Sequence, residues 1–190
     1  VFAAVLALPF VAGVVDANLD YPVADHSVET VVVIDASPAQ VWAQTLDIPV
    51  IQADERVWTA SHGLFGAPQP VSAGLAGEVR QLQWTKGVTF KEIILERDAP
   101  QRLRWEFDFD DPDSLVAFDP HVSPNSRFLR VTTGEYHLRA VEAGTELTLR
   151  THYSVATPYN GYLRLWGRLF LTDFHSAVLA VIKSRAEAAG

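Results

Sequence analysis

Residues 28–43 read VETVVVIDASPAQVWA and place a strand directly before a helix. The segment from Val28 to Asp35 is short and rich in β-branched residues, which is typical of a β-strand. The helix start that follows is well marked: Ser37 can cap it, Pro38 suits the first helical position, and Gln40 completes a capping box. The stretch therefore predicts a strand–helix unit at the start of a domain.

Alternating apolar and polar residues continue after this unit and predict a run of strands. The five predicted strands span residues 77–84, 88–96, 102–108, 134–142 and 145–155. Thr85-Lys86-Gly87 forms a three-residue hairpin loop between the first two of them. The loop at Ala143-Gly144 joins the last two and is expected to bring Tyr136 opposite Thr151.

Helical spacing of apolar residues predicts a final helix over residues 158–188, with Thr157 as its cap. At about 1.5 Å per residue this helix is roughly 45 Å long, enough to cross a whole sheet. Gly167 in its middle costs about 1 kcal/mol relative to Ala, which indicates the close approach of another backbone or a ligand. Residues 52–73 are interpreted as irregular, with one short helix near residues 51–57.

Composition narrows the function classes. The chain has 190 residues, no Cys and a net charge of −8. The lack of Cys excludes a disulfide framework and thiolate metal sites. No His pair has the spacing of a zinc site, so neither a metal nor a cofactor is predicted. The acidic balance argues against a nucleic-acid partner. The oligomeric state is left open.

Residues 1–15, VFAAVLALPFVAGVV, carry no charge. As a helix they would span about 22 Å, less than the roughly 30 Å of a bilayer core. We interpret them as a truncated membrane helix; the alternatives are the apolar core of a signal peptide and a buried helix. Residues 16–27 are interpreted as a linker and residues 28–190 as one domain. Membrane association is therefore expected, on a side that the sequence does not define.

The order of a strand, ASPAQVWA, antiparallel strands and a long C-terminal helix resembles the SRPBCC superfamily, which includes START-like, polyketide cyclase/dehydrase and Bet v 1-like proteins. The residues that carry the resemblance are 31–34, 36–38, 41–42, 77–84, 90–92, 144–147 and 162–187. The stretches GAPQP, DPHV and LWGRLFLTDFHSAVLAVIKSRAE resemble an uncharacterised bacterial branch of that superfamily that is fused to membrane helices.

This resemblance implies an α+β helix-grip fold, in which a curved antiparallel sheet wraps the long C-terminal helix and leaves an apolar internal cavity. Members bind or transport lipids and other hydrophobic molecules, and some act on polyketides. Fold alone does not settle function, so the expected site has to be argued from residues.

Strand alternation places a mostly apolar set of side chains on one face of the sheet around a single charged pair. In the predicted register Arg80 lies opposite Glu92, and Phe107 lies beside Glu92. If the Arg80 and Glu92 side chains are buried, they must form an ion pair, because either charge alone is costly to bury. The pair can then orient a polar group of an apolar ligand. The predicted ligand-binding set comprises Arg80, Leu82, Trp84, Phe90, Glu92, Trp105, Phe107, Tyr136, Tyr153, Trp166, Phe170 and Asp173. The alternatives are an exposed or purely structural ion pair and an aromatic set that is plain core.

Asp173 lies on the apolar stripe of the long helix, where a carboxylate needs a partner unless it sits at the edge of the stripe in water. Residues 110–130 form a long connection and are predicted to be a lid that carries Asp119, His121 and Arg127; the alternative is a passive insertion.

Three functions remain open. A membrane-tethered module that binds a hydrophobic small molecule or lipid is favoured. A non-catalytic interaction domain with a filled core comes second. A cyclase- or dehydratase-like enzyme comes third, with Glu92, Asp173 or His121 as acid or base.

Overall fold

The computed structural model of the protein describes residues 21–109, 123–126, 128–157 and 160–189. Its strands are β1 (Ala24–Ile34), β2 (Pro70–Ala76), β3 (Val79–Trp84), β4 (Thr89–Asp98), β5 (Arg102–Asp108), β6 (Leu129–Val141) and β7 (Gly144–Val155). Its α-helices are α1 (Pro38–Leu46), α2 (Ala60–Gly63) and α3 (Asn160–Ala188). Short 3₁₀ turns lie at Ala53–Glu55 and Thr85–Gly87.

The seven strands form one sheet in the order β1-β7-β6-β5-β4-β3-β2, and all neighbouring strands are antiparallel. The sheet is open, with β1 and β2 at its edges. The long helix α3 packs against β1, β7 and α1. This arrangement confirms the predicted α+β helix-grip fold, with a curved antiparallel sheet around a C-terminal helix.

Local sequence signals explain the helix α1. Ser37 accepts a hydrogen bond from the backbone N–H of Gln40, and the Gln40 side chain accepts one from the backbone N–H of Ser37. This reciprocal capping box satisfies backbone donors that the first turn leaves free. Val41 and Trp42 are buried and join the main core, so α1 is fixed against the sheet and α3.

The predicted register of the central hairpin is confirmed. Arg80 pairs with Glu92 and Leu82 pairs with Phe90 across β3 and β4. On the next strand, Phe107 pairs with Glu92. The loop that sets this register contains two residues with positive φ, Lys86 at 63° and Gly87 at 76°.

Two predicted features of the sheet differ from the structure. Strand β2 begins within residues 52–73, the stretch expected to be irregular, where Gly and Pro residues mask its alternation. The β6–β7 hairpin is tighter than expected: Val141 already pairs with Gly144, so Tyr136 lies opposite Leu149 rather than Thr151. A shift of two residues keeps every side chain on its predicted face.

The first predicted strand also begins earlier than expected. β1 starts at Ala24, which pairs with Val155 at the end of β7. The structure therefore places residues 24–27 in the sheet, whereas the sequence reading assigned them to a linker.

Helix α3 is packed unevenly along its length. Its buried residues are His175, Ala177, Leu179, Val181, Ile182 and Ala186. Among the side chains described before His175, none is fully buried. The second half of the helix therefore belongs to the core, whereas residues of its first half line a cavity.

Gly134 on β6 lets the indole of Trp105 lie flat against the sheet. A Cβ at this position would stand 2.4 Å from Trp105 Cζ2, a distance that real Cβ atoms do not show. We expect Gly134→Ala to lower the free energy of unfolding by about 1–3 kcal/mol, because Trp105 has to move out of a tightly packed place. Urea denaturation would measure the loss.

The matched control is Gly74→Ala on β2, where nothing lies within 4 Å of the new Cβ and little change is expected. Trp105→Leu combined with Gly134→Ala should lose less stability than the sum of the two single changes, since the two residues are in contact. Strict additivity of the two single changes would contradict the proposed clash.

Candidate functional site

A cavity of about 610 Å³ lies between the concave face of the sheet and the first half of α3. Cavities that hold small molecules commonly measure roughly 300–1,000 Å³ and have mostly apolar walls. Ten of the twelve residues predicted to bind a ligand line this cavity, all except Tyr153 and Asp173. The interaction-domain hypothesis required a filled interior, which the cavity contradicts.

Aromatic rings form much of the cavity wall. On the sheet side, the Trp105 and Tyr136 rings are 5.0 Å apart, centroid to centroid. On the helix side, Phe170 and Phe174 are 6.3 Å apart, and Phe174 meets the edge of Trp84 at 5.1 Å. Such offset and edge-to-face contacts fix the rings, so the walls present stable flat surfaces.

The predicted Arg80–Glu92 pair is buried in the cavity wall. Arg80 is 2% exposed and Glu92 3% exposed. Arg80 Nε donates to Glu92 Oε2 at 2.5 Å, and Arg80 Nη1 donates to the backbone oxygen of Thr45. The guanidinium also lies 4.8 Å from the ring centroid of Trp105 and 5.7 Å from that of Tyr136. The charges thus neutralise each other inside an aromatic frame.

Burial raises the pKa of Glu92 above its usual value, although the charge and hydrogen bond of Arg80 oppose the shift. Each partner supplies the counter-charge of the other. Loss of one would leave an uncompensated charge in an apolar wall.

His175 adds a second polar feature to the wall. Its Nδ1 lies 3.0 Å from Thr30 Oγ1, and its Nε2 lies 2.8 Å from Thr151 Oγ1. Burial lowers the pKa of His175 to about 4, so the ring is neutral at neutral pH. A neutral ring donates one hydrogen bond and accepts one, and the two hydroxyl groups match this capacity.

Two predicted ligand-binding residues have other places in the structure. Asp173 Oδ2 accepts a hydrogen bond from the backbone N–H of Ser61 at 2.7 Å. Asp173 therefore ties α2 to α3 instead of facing the cavity, because it lies at the edge of the apolar stripe. Tyr153 packs with Val28 and Val155 in a separate small cluster.

The close approach expected at Gly167 is made by a side chain. A Cβ on Gly167 would lie 3.1 Å from Tyr153 Cε2. The protein neighbour is thus an aromatic ring rather than a backbone, and the close approach of a ligand stays a prediction, since Gly167 also borders the cavity.

Three phenylalanines of the wall were missed by the sequence reading: Phe65, Phe109 and Phe174. Phe174 follows Phe170 by four residues and Phe109 follows Phe107 by two, so periodicity carried a signal for both. Phe65 has no periodic signal. It reaches Trp166 and Phe170, at 5.6 and 5.7 Å, from the turn after α2.

The predicted lid residues Asp119, His121 and Arg127 lie outside the described residues, as do residues 1–15. The structure therefore leaves both the lid and the membrane segment as predictions.

An open antiparallel sheet, a gripping helix and an apolar cavity with one buried ion pair define a hydrophobic-ligand-binding domain of the SRPBCC type. The family comparison agrees with this class. Residues 25–187 match the family described as "Polyketide cyclase / dehydrase and lipid transport", so the chain belongs to that family. A search of the curated proteins finds no match.

Solved structures show the same fold at low identity. The di-domain ARO/CYC BexL from the BE-7585A biosynthetic pathway has a TM-score of 0.53 and 17% identity, and covers 86% of this chain. The di-domain ARO/CYC StfQ from the steffimycin pathway has a TM-score of 0.54 and 12% identity, over 88% of this chain. The chain spans only 50% and 52% of these two proteins.

A third similar structure is a protein of unknown function, SA2116 from Staphylococcus aureus. It has a TM-score of 0.52 and 11% identity, and the match covers 88% of this chain and 96% of that one. At such identities the likeness establishes the fold alone.

One helix of the described residues, Arg164–Ala188, is long and apolar enough to cross a membrane by length and composition. It is also the helix that packs on the sheet, and a core helix meets the same test. Its hydropathy is therefore weak evidence for a membrane span.

Proposed function

We propose that this domain binds one uncharged, largely apolar small molecule or lipid in the cavity under α3. The observation that carries the proposal is a cavity of about 610 Å³ whose wall is aromatic and aliphatic apart from a few polar groups. The charge of Arg80 is already balanced by Glu92. The other described cation of the wall, Lys86, is exposed and donates to the backbone oxygen of Gly66. The buried part of the wall that the structure describes therefore offers no net positive charge to an anion. Membership of a family described by lipid transport supports the same class of ligand.

Leu82→Trp tests the proposal by filling the cavity from β3, since Leu82 lines it. We expect the affinity for anthracene, used as a fluorescent probe, to fall at least about tenfold, which corresponds to roughly 1.4 kcal/mol of binding free energy. Fluorescence titration of the purified domain measures the change, and native mass spectrometry identifies any apolar molecule that co-purifies.

The matched control is Leu95→Trp, on the neighbouring strand, where the side chain is 50% exposed and does not line the cavity. This variant should bind anthracene like the parent protein. Equal affinity in all three proteins would refute binding in the cavity.

A cyclase- or dehydratase-like reaction is the second candidate, and only Glu92 supports it. Its pKa is raised by burial and it lines the cavity, as a general acid would. Asp173 is engaged by Ser61, and His121 lies outside the described residues. The hydrogen-bonded pairing of Glu92 with Arg80 favours a structural and orienting role, so we place binding first.

Membrane association remains part of the proposal rather than of the structure. An uncharged segment at residues 1–15 would hold the domain near a source of apolar molecules. Such a tether would suit a lipid-binding cavity, and fractionation of the full chain with and without residues 1–15 would test it.

A further inference from the structure

Tyr136 is a buried side chain that carries a polar hydroxyl group. It lines the cavity and is 2% exposed. Within the residues that the structure describes, its hydroxyl makes no hydrogen bond. Buried side-chain hydroxyls nearly always have a partner, so an unused one in a cavity wall points to a partner that the protein does not itself supply.

The surroundings of Tyr136 keep its hydroxyl a donor. Burial raises the pKa of Tyr136 well above its usual value, so the phenol stays protonated at physiological pH. The guanidinium of Arg80 lies 5.7 Å from the centre of the Tyr136 ring and already donates to Glu92 and Thr45. Tyr136 therefore keeps a hydroxyl proton to donate at this depth, beside the indole N–H of Trp105, which is enclosed by protein and also has no partner among the described residues.

The oxygen-bearing and charged groups next to Tyr136 are engaged, whereas the enclosed indole N–H groups of Trp84 and Trp105 have no partner among the described residues. The hydroxyl of Thr151 bonds His175, and the Arg80–Glu92 pair is internally matched. Because that pair carries no net charge, an anionic oxygen at this place would be buried without a counter-ion, which is costly. An uncharged oxygen acceptor meets the hydroxyl without that cost.

On these grounds we infer that Tyr136 is the orienting residue of the cavity and that the ligand carries an uncharged oxygen, a ketone, ether or hydroxyl, that accepts a hydrogen bond from the Tyr136 hydroxyl. This inference rests on the proposed binding function and deepens it. It narrows the ligand from any apolar molecule to an apolar molecule with an oxygen acceptor that reaches β6.

Two probes of nearly equal shape test the inference: 2-acetylanthracene, which carries a carbonyl oxygen, and 2-ethylanthracene, which does not. The parent protein should bind the ketone about five- to tenfold more tightly than the hydrocarbon, as one net hydrogen bond allows. Tyr136→Phe should abolish this preference and leave the affinity for 2-ethylanthracene unchanged. Fluorescence titration reads all the affinities.

Ser72→Ala provides the matched control, because Ser72 also lines the cavity and the change also removes one hydroxyl. It should keep the preference for the ketone. Thermal unfolding supplies a second readout: Tyr136→Phe should melt at the same temperature as the parent or higher, since no protein hydrogen bond is lost.

The outcomes separate the two proposals. If both probes bind equally well to the parent, or if the preference survives Tyr136→Phe, the role of Tyr136 is refuted while the binding function stands. If neither probe binds, both proposals fail together.

Discussion

Replacing Glu92 by Ala is expected to lower the free energy of unfolding by about 3–5 kcal/mol, because it leaves the charge of Arg80 buried without a partner. Arg80 is only 2% exposed, so it cannot reach water without disrupting the wall in which it lies. In a domain of this size such a loss lowers the melting temperature by about 6–20 °C. Urea denaturation and thermal unfolding would both show it.

The control for this change is Glu78→Ala, which removes a carboxylate from the exposed pair of Glu78 with Arg97 at 3.8 Å. Exposed pairs contribute little, so its effect should stay below about 1 kcal/mol. Arg80→Met combined with Glu92→Leu should recover most of the stability, because no charge is then buried. An unchanged melting temperature in Glu92→Ala alone would disprove the buried pair.

Acidification is expected to destabilise the domain through His175. In the unfolded chain this imidazole takes up a proton near pH 6.5, whereas in the folded protein burial lowers its pKa to about 4. Between these values the unfolded state binds more protons, so stability falls as the pH falls. The loss of folding free energy through His175 begins below about pH 6.5, grows as the pH falls to about 4 and amounts to roughly 3 kcal/mol there.

Carboxylates also take up protons in part of this pH range, so the effect of His175 is measured as a difference in pH dependence between a variant and the parent protein. His175→Gln should show a shallower fall of stability from pH 6.5 to 4 than the parent, measured by urea denaturation at each pH. The same substitution at His137, which is exposed on β6, should leave the parent's slope unchanged. Equal slopes for His175→Gln and the parent would contradict the assignment.

The sheet half of the site follows from the sequence because a strand has a period of two and a short loop sets its register. The pairing of Arg80 with Glu92 needed only the three-residue loop at 85–87, and it is confirmed. The register of Tyr136 was wrong because the number of residues in its hairpin turn is not fixed by alternation.

The helix half of the site is harder to predict, because each residue turns the side chain by about 100°. Asp173 and Phe174 are neighbours in sequence, yet Phe174 lines the cavity and Asp173 holds α2. The width of an apolar stripe does not say which of its edges faces the sheet. Phe65 follows α2, which the hydrogen bond between Ser61 and Asp173 ties to α3. No local sequence pattern indicates that contact.

Helix α3 is buried in the core only from His175 onward, and this difference along the helix determines which part of it can separate from the sheet most easily. Regions with few packed neighbours detach at a lower cost in free energy than the whole domain unfolds. The turns of α3 that precede His175 border the cavity, whereas the later turns are embedded among core side chains. Transient lifting of these early turns would therefore expose the interior while the strands stay paired, so a guest could enter and leave without global unfolding.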